Sequence, residues 1–546
     1  MSPFTVLYLM AVTQAQWLKS QFNRHRPSKN FPLNLFMLLF FVLISLYIKA
    51  TAERASKRHF QPNNSSTRVL SLSRVSYVDP ATSQFIDAAG RSVIFHGTNV
   101  VYKSPPFHPW VDKFDVKHSF SEEDAKILSE LNVNMIRLGV MWVGVEPQKG
   151  KYDEKYLEAI RKIVEHCAKY GIFVLLDSHQ DVLTEQFCGG GAPGWIVHRD
   201  WVLDMFKFPF PIKSPYKVNG SYIPSDKDCG SVDWFQYYTS AAVANAFGHW
   251  YRNDDGLADA FAAQWARIAQ IFGKYDNVIG YDLLNEPWAG DTYANPGLLV
   301  PGVADKTTLE PFYNRIHKEI RKHDQDSIVF IEGVTWDIEH GFNDVPGGPH
   351  WRNKTGLSYH YYAPPQVSLD ITMKSRMKDL KRLHCGGILS EFTQWWIQDP
   401  AERKKLTLDV QQAADRYMQS YLGWVYKSFA QGGGYSLFDE STGKARPEME
   451  RLYSRTFAPA VAGKILGYNF NDDDYSFHLE YNINAKATLP TVIKIQKRVF
   501  YTKGYKLNIS PPSWAKSEEI DSNTIHIVHT KEAKDGEKLT VTLTKL

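Results

Sequence analysis

At 546 residues the chain exceeds what one compact core accommodates, so one large domain with a smaller companion is expected. Hydrophobic residues at 43% and charged residues at 22% describe an ordinary soluble globular protein, and 14% aromatic content suggests ring surfaces for sugars or the packing of large strands. A formal charge of +4, with no long Lys/Arg run beyond the N-terminal tail, excludes electrostatic nucleic-acid binding.

Residues 1–30 read as an N-terminal tail and residues 31–52 as a signal peptide or signal anchor. The apolar run Leu33–Ile48 is flanked by Lys19, Arg24, Arg26 and Lys29 before it and by Lys49, Arg54, Lys57 and Arg58 after it. It is short for a span of about 20 residues, and Ala50-Thr51-Ala52 offers a cleavage site. The long preceding tail suits an uncleaved anchor, so both readings stand. Either one sends the rest of the chain into the secretory pathway, secreted or anchored with a lumenal catalytic domain. Acceptor sequons at Asn63, Asn64, Asn219, Asn353 and Asn508 agree with that route. Cys188 and Cys229 bracket a loop that a disulfide would close in an oxidising compartment. Cys167 shares a helical face with Tyr156, Ile160, Ile163, Val164 and Tyr170, which makes it a buried thiol.

Residues 53–73 are polar and lack apolar periodicity, as a flexible spacer does. From Tyr77 onward, Phe85-Ile86, a turn at Asp87–Gly90 and Val93–Phe95 form a hairpin pattern leading into a buried strand, suited to plugging a barrel bottom. Short apolar runs then recur from Val93, Val133, Ile172, Val278, Ser327, Gly356, Gly386 and Gly423. Helical patterns such as Asp153–Tyr170, stopped by Gly171, lie between them. Apolar strands alternating with helices imply a parallel sheet covered on its outside, and eight such units close into a (β/α)₈ TIM barrel over residues 74–463. Residues 182–260 form a long insert after the third strand, on the catalytic face. Beyond Gly463 the pattern alternates, with Phe477, Leu479, Tyr481 and Ile483, then Ile525 and Ile527, then Leu539, Val541 and Leu543, which predicts a β-sandwich over residues 464–546.

In such a barrel the C-terminal strand ends share one mouth, so polar residues remote in sequence converge there. The strand ends supply Asn99, Lys103, Arg137, His179, Asp181, Asn285, Glu286, His360, Tyr362, Glu391 and Trp424. Glu286 ends the fourth strand and Glu391 the seventh, and a carboxylate pair across one mouth suits glycosidic cleavage. One protonates the leaving oxygen; the other meets the oxocarbenium-like carbon. The charge of Glu391 is expected to raise the pKa of Glu286, making Glu286 the acid/base and Glu391 the nucleophile. The expected carboxyl separation is about 5–5.5 Å, the retaining spacing. No metal site is expected, because His179 and Asp181 lack a third ligand at zinc spacing, and water is the only co-reactant, with no cofactor.

The motifs HGTNVVYK, LLDSHQD, GAPGW, YDLLNEPW, SYHYYAPP, LSEF, GWVYKSF and RLYSRTFAPAVAG, in order, resemble the endoglycoceramidases of glycoside hydrolase family five. The resemblance runs from Ser73 to Gly463 and, more loosely, through the terminal sandwich. It implies hydrolysis between the glycan and ceramide of glycosphingolipids, at a membrane surface. It also implies that Asn285 binds the sugar 2-hydroxyl and that Tyr362 with His360 orients the nucleophile. Lys103, His179 and Asp181 would bind sugar hydroxyls, Trp424 would form a platform under the ring, and Arg137 would hold the Glu391 carboxylate. The fifth strand, IVFIEGVTWD, departs from the pattern that would carry a glycan-contacting glutamine in bacterial members of that group, so contacts to distal sugars are expected to differ.

Purely structural readings stand beside these: a supporting network for His179, Asp181 and Tyr362, core packing for Trp424 and a structural ion pair for Arg137. The insert aromatics, among them Trp195, Trp201, Tyr237, Tyr238, Phe247 and Trp250, are expected mainly to pack the insert. The proline-broken stretch Met205–Pro211 reads as an exposed lip that contacts lipid through Phe206, Phe208 and Phe210. A glucosylceramidase, steryl-β-glucosidase or soluble endo-β-glucanase, and an inactive carbohydrate- or lipid-binding protein, are the alternatives.

Overall fold

The computed structural model describes residues 73–546 apart from 198–222, 231–233, 336, 364–365, 367, 394–395 and 430–434. The tail, the Leu33–Ile48 run, the spacer up to residue 72, the sequons at Asn63, Asn64 and Asn219, Trp201 and the Met205–Pro211 stretch lie outside the described residues. Among the described residues no helix is long and apolar enough to cross a membrane.

Three short strands come first: β1 (Val75–Val78), β2 (Phe85–Asp87) and β3 (Ser92–Val93). Eight parallel strands then close a barrel: β4 (His96–Val100), β5 (Met135–Gly139), β6 (Phe173–Asp177), β7 (Val278–Asp282), β8 (Ile328–Ile331), β9 (Thr355–Tyr361), β10 (Gly386–Phe392) and β11 (Ser420–Gly423), with β11 pairing back onto β4. Every barrel strand is buried along its length save Gly423 at the end of β11, as a sheet covered on both faces requires. The eighth strand corrects the sequence reading, which began it at Gly423. Pairing with His96–Thr98 uses Tyr421–Gly423, and the chain leaves the ladder at Trp424, so the apolar run beyond Gly423 is loop.

Outside the barrel, helices pack through one apolar stripe each. The helix Glu154–Lys169 starts where the Asp153 carboxylate accepts the N–H groups of Lys155 and Tyr156. It buries Tyr156, Leu157, Ile160, Ile163, Val164 and Cys167, and stops before Gly171 at φ +73°. Cys167 is fully buried and unpaired, while Cys188 and Cys229 form a disulfide. The insert aromatics Tyr237, Tyr238, Phe247 and Trp250 are buried, and Trp142 stacks on Trp250 and meets Trp195 edge-on.

The hairpin does two jobs. Val78 and Phe85 join Phe95, Phe173, Phe330 and Ile388 in the apolar plug at the barrel bottom. At the same time β1–β3 extend an antiparallel sheet that also contains β14 (Phe457–Val461), β17 (Thr491–Lys494), β20 (Thr524–His529) and β19 (Ala515–Asp521). This sheet therefore reaches back across residue 464 and draws in the first strands of the chain. A second sheet of β15 (Gly463–Phe470), β16 (Phe477–Ile483), β21 (Lys538–Lys545) and β18 (Tyr505–Ser510) faces it across one core, including Phe477, Leu479, Tyr481, Ile493, Ile527, Leu539 and Val541. The small hairpin β12 (Phe438–Asp439) and β13 (Lys444–Ala445) completes the strands.

Candidate active site

Side-chain alternation along the barrel strands places the site. In β5, Ile136 and Leu138 pack outward against the helices while Met135 and Arg137 point inward. The same period puts Asp177 of β6 inside, above Phe173 and Leu175, and in β7 a slip in the β6–β7 ladder lets Ile279 and Asp282 both face inward. Ser358 of β9 and Ser390 of β10 join them, with Ser358 donating to Asp282 at 2.7 Å and the two hydroxyls 2.6 Å apart. Glu391 breaks the alternation. The β9–β10 ladder slips between Leu389 and Glu391, a bulge that turns the Glu391 side chain into the mouth.

Arg137 is the centre of this layer. Its Nε donates to Asp282 Oδ2 at 2.8 Å, Nη1 to Glu391 Oε1 at 2.7 Å and Asn99 Oδ1 at 3.3 Å, and Nη2 to Asp177 Oδ1 and Asn285 Oδ1, both at 2.9 Å. Burial alone would pull its pKa down, but the charges of Asp177, Asp282 and Glu391 outweigh that and raise it. It is thus at once a structural ion pair and the partner of Glu391. Tyr362 completes the hold on Glu391, its hydroxyl donating to Oε2 at 2.9 Å.

Glu286 lies four residues beyond β7, at φ +42°, a left-handed conformation that costs a non-glycine residue about 1–3 kcal/mol. Its neighbours hold it there. Gln180 Nε2 donates to the carbonyls of Asn285 at 2.7 Å and Glu286 at 3.0 Å, and the Glu286 N–H donates to Glu332 Oε2 at 2.9 Å. Burial, then the charge of Asp181, raises the Glu286 carboxyl from 4.5 to about 7, against the pull of His179, Lys103 and Arg137. The cause differs from the sequence reading, which named Glu391: Arg137 bonds Glu391 directly, and the largest contribution is removal of Glu286 from water. His360 also differs. Its Nδ1 lies 2.9 Å from Glu286 Oε1 and 3.6 Å from Glu391 Oε2, so its hydrogen bond goes to Glu286 rather than to Glu391. Burial lowers the His360 pKa to about 4, leaving a neutral imidazole between the two glutamates.

The remaining residues form one flank. Lys103 pairs with Asp181, and His179 sits with Nδ1 2.8 Å from Asp177 Oδ2 and Nε2 3.5 Å from Asp181 Oδ2. Burial and the Lys103 charge would lower the His179 pKa, yet Asp177 and Asp181 bring it to about 8. Trp424 stacks on His179 at 5.4 Å and 15°, with Lys103 Nζ 4.7 Å from its ring centre. One oxygen each of Glu286 and Glu391 and one nitrogen of His360 lie within 4.8 Å of one another. That donor set has the spacing of a cation site, but Arg137 already places a full positive charge 2.7 Å from Glu391 and opposes a second one. With one oxygen of each within 4.8 Å, the two glutamates approach more closely than the roughly 6.5–9.5 Å that inverting glycosidases leave for a water.

Residues 86–429 match the family described as Cellulase (glycosyl hydrolase family 5), and residues 455–543 match the Glycoside hydrolase family 5 C-terminal domain. The chain belongs to glycosyl hydrolase family 5. Among members of the family it is similar to the endoglycoceramidase of Cyanea nozakii, 41% identical over 478 residues that cover 85% of this chain and 93% of that protein. The endoglycoceramidase of Hydra vulgaris is 41% identical over 440 residues, covering 80% and 83%. The fold is also that of endo-glycoceramidase II from Rhodococcus sp., solved as a ganglioside GM3 complex, with a TM-score of 0.67, 22% identity and coverage of 84% of this chain and 99% of that one. The family 5 barrel and C-terminal domain expected from the sequence are therefore both present. Four buried polar residues of the site escaped the sequence reading: Asp177, Asp282, Gln180 and Glu332. Asp177 and Gln180 stand inside the quoted LLDSHQD motif, and Asp282 inside YDLLNEPW. A charged residue interrupting an otherwise apolar strand was the available signal.

Proposed function

We infer that this family 5 enzyme hydrolyses the β-glycosidic bond between the oligosaccharide and the ceramide of glycosphingolipids, with retention of configuration. The spacing of Glu286 and Glu391, within 4.8 Å at one mouth, carries the mechanism, and the two endoglycoceramidases at 41% identity support the substrate class. Glu286, with its pKa near 7, supplies the proton to the glycosidic oxygen while Glu391, held by Arg137 and Tyr362, attacks the anomeric carbon. Ceramide leaves and the glycan stays esterified to Glu391. Esterification removes one of the three carboxylates that offset Arg137, so its charge weighs more heavily on Glu286 and lowers that pKa. Glu286 next takes a proton from water, which attacks the anomeric carbon, displaces the Glu391 carboxylate and releases the oligosaccharide. Asn285 is assigned to the 2-hydroxyl, Lys103, His179 and Asp181 to other sugar hydroxyls, and Trp424 to the ring face.

Export through the secretory pathway, with work at a membrane surface, is supported by the Leu33–Ile48 run, the Cys188–Cys229 disulfide and the exposed sequons Asn353 and Asn508. The purified enzyme, incubated with mixed glycosphingolipids, should release intact oligosaccharide and free ceramide, identified by mass. Stepwise release of monosaccharide would make it an exo-glycosidase, and turnover of soluble glucan alone would remove the lipid.

A further inference from the structure

Glu332 stands one residue beyond β8 and is 2% exposed, although it carries a carboxyl group. Its Oε2 accepts the Glu286 N–H at 2.9 Å, and Oε1 faces Thr335 Oγ1 at 3.5 Å and His360 Nδ1 at 3.7 Å. Its own carbonyl is pinned by the Tyr313 hydroxyl at 2.8 Å. Gln180 grips the Asn285 and Glu286 carbonyls, so Glu332 closes a clamp at the opposite pole of the same peptide turn. That turn is the left-handed one from which the Glu286 side chain projects.

We propose that Glu332 is a positioning residue for Glu286, fixing its backbone turn as a neutral carboxylic acid; this rests on the reading of Glu286 as the acid/base. Among the described residues no lysine or arginine nitrogen comes within the 4.0 Å of an ion pair with Glu332. The groups facing it are Glu286 and Asp282 from the β7 end, Arg137 from β5 and His360 from β9. Arg137 already serves three carboxylates. Burial, with Glu286 and Asp282 adding to it, holds the Glu332 carboxyl well above the usual range. A charged Glu332 would also grip the Glu286 proton too tightly for the second step, in which Glu286 acts as base.

The test compares two substrates and three variants. In lactosylceramide the leaving ceramide is an alcohol that needs a proton from the acid, whereas the dinitrophenolate of 2,4-dinitrophenyl β-lactoside departs without one. E332A, which loses the acceptor, should lose roughly 30-fold or more in kcat/KM on the lipid yet stay within about threefold on the aryl glycoside. E332Q, a neutral acceptor of the same size, should stay within about threefold on both and keep the alkaline limb of the pH profile. Equal loss by E332A on both substrates overturns the positioning role. An alkaline limb moved to lower pH in E332Q overturns the neutral state, because losing an anion lowers the Glu286 pKa. If E332A does not fold, the E332Q profile still decides. E286A, assayed in parallel, separates the two readings: if it spares neither substrate, the acid/base assignment itself fails, whatever Glu332 does.

Discussion

Replacing Arg137 with methionine keeps most of the side-chain volume and removes one charge from the middle of the barrel. The guanidinium, fully buried, bonds Asp177, Asp282 and Glu391 at 2.7–2.9 Å. Removing one partner of a buried ion pair costs about 3–5 kcal/mol, because the charge left behind is uncompensated. Three carboxylates lose their cation together here, which puts the loss near the top, at about 5 kcal/mol, capped because the carboxyls bind protons rather than remain charged. That proton uptake sets the sign of the pH dependence. Asp282 is raised by burial to about 6 even with Arg137 pulling it down, so without Arg137 it rises further. A carboxyl raised in the folded state favours folding below its unfolded value of about 4, and that contribution is lost as pH climbs through the folded value. Urea unfolding followed by tryptophan fluorescence should therefore show a deficit in Arg137→Met that is larger at pH 8 than at pH 5. A deficit below about 1 kcal/mol, the range of a surface pair, or one equal at both pH values, would refute the reasoning.

Glu286 near pKa 7 predicts that kcat/KM on lipid substrate falls tenfold per pH unit above about pH 7, and Asp181→Asn should move that limb to lower pH; a wild-type limb near pH 5, the ordinary carboxylate range, would contradict it. Tyr362→Phe removes a bond to the charged Glu391, worth about 1.5–3 kcal/mol, and should lower kcat roughly 10- to 150-fold with little change in KM; a rise in KM alone counts against that role. Opening the Cys188–Cys229 bond, which closes a loop of 41 residues, should cost about 2–4 kcal/mol, so reductant should lower the thermal midpoint, and an unchanged midpoint would argue against it.

The eight-fold alternation of apolar runs and helical stripes was legible because each unit is local: period and capping residues lie within about 40 residues of one another. The glutamate pair was legible once the barrel was, since its topology alone brings β7 and β10 ends to one mouth. What escaped was non-local. Nothing near Val75–Val93 signals that the last of these strands, Ser92–Val93, pairs with Ala460 and Val461, because strand pairing across such a separation depends on edge matching that no short window contains. Strict alternation from Ile388 and Ser390 points Glu391 outward, and only the bulge corrects it. The eighth strand was displaced because the apolar run Trp424-Val425-Tyr426 continues past the last ladder bond. His360 shows the limit at a residue scale: 2.9 Å to Glu286 against 3.6 Å to Glu391 decides which glutamate it hydrogen-bonds, and spacing along the chain carries no such detail.

Retention at this site requires a covalent sugar ester at Glu391. Incubation with a 2-deoxy-2-fluoro lactoside bearing a good leaving group, which slows ester hydrolysis more than ester formation, should add the mass of one fluorosugar to the protein. Peptide mapping should then place that mass on Glu391. A label on any other residue, or full inactivation without a label, would contradict the mechanism.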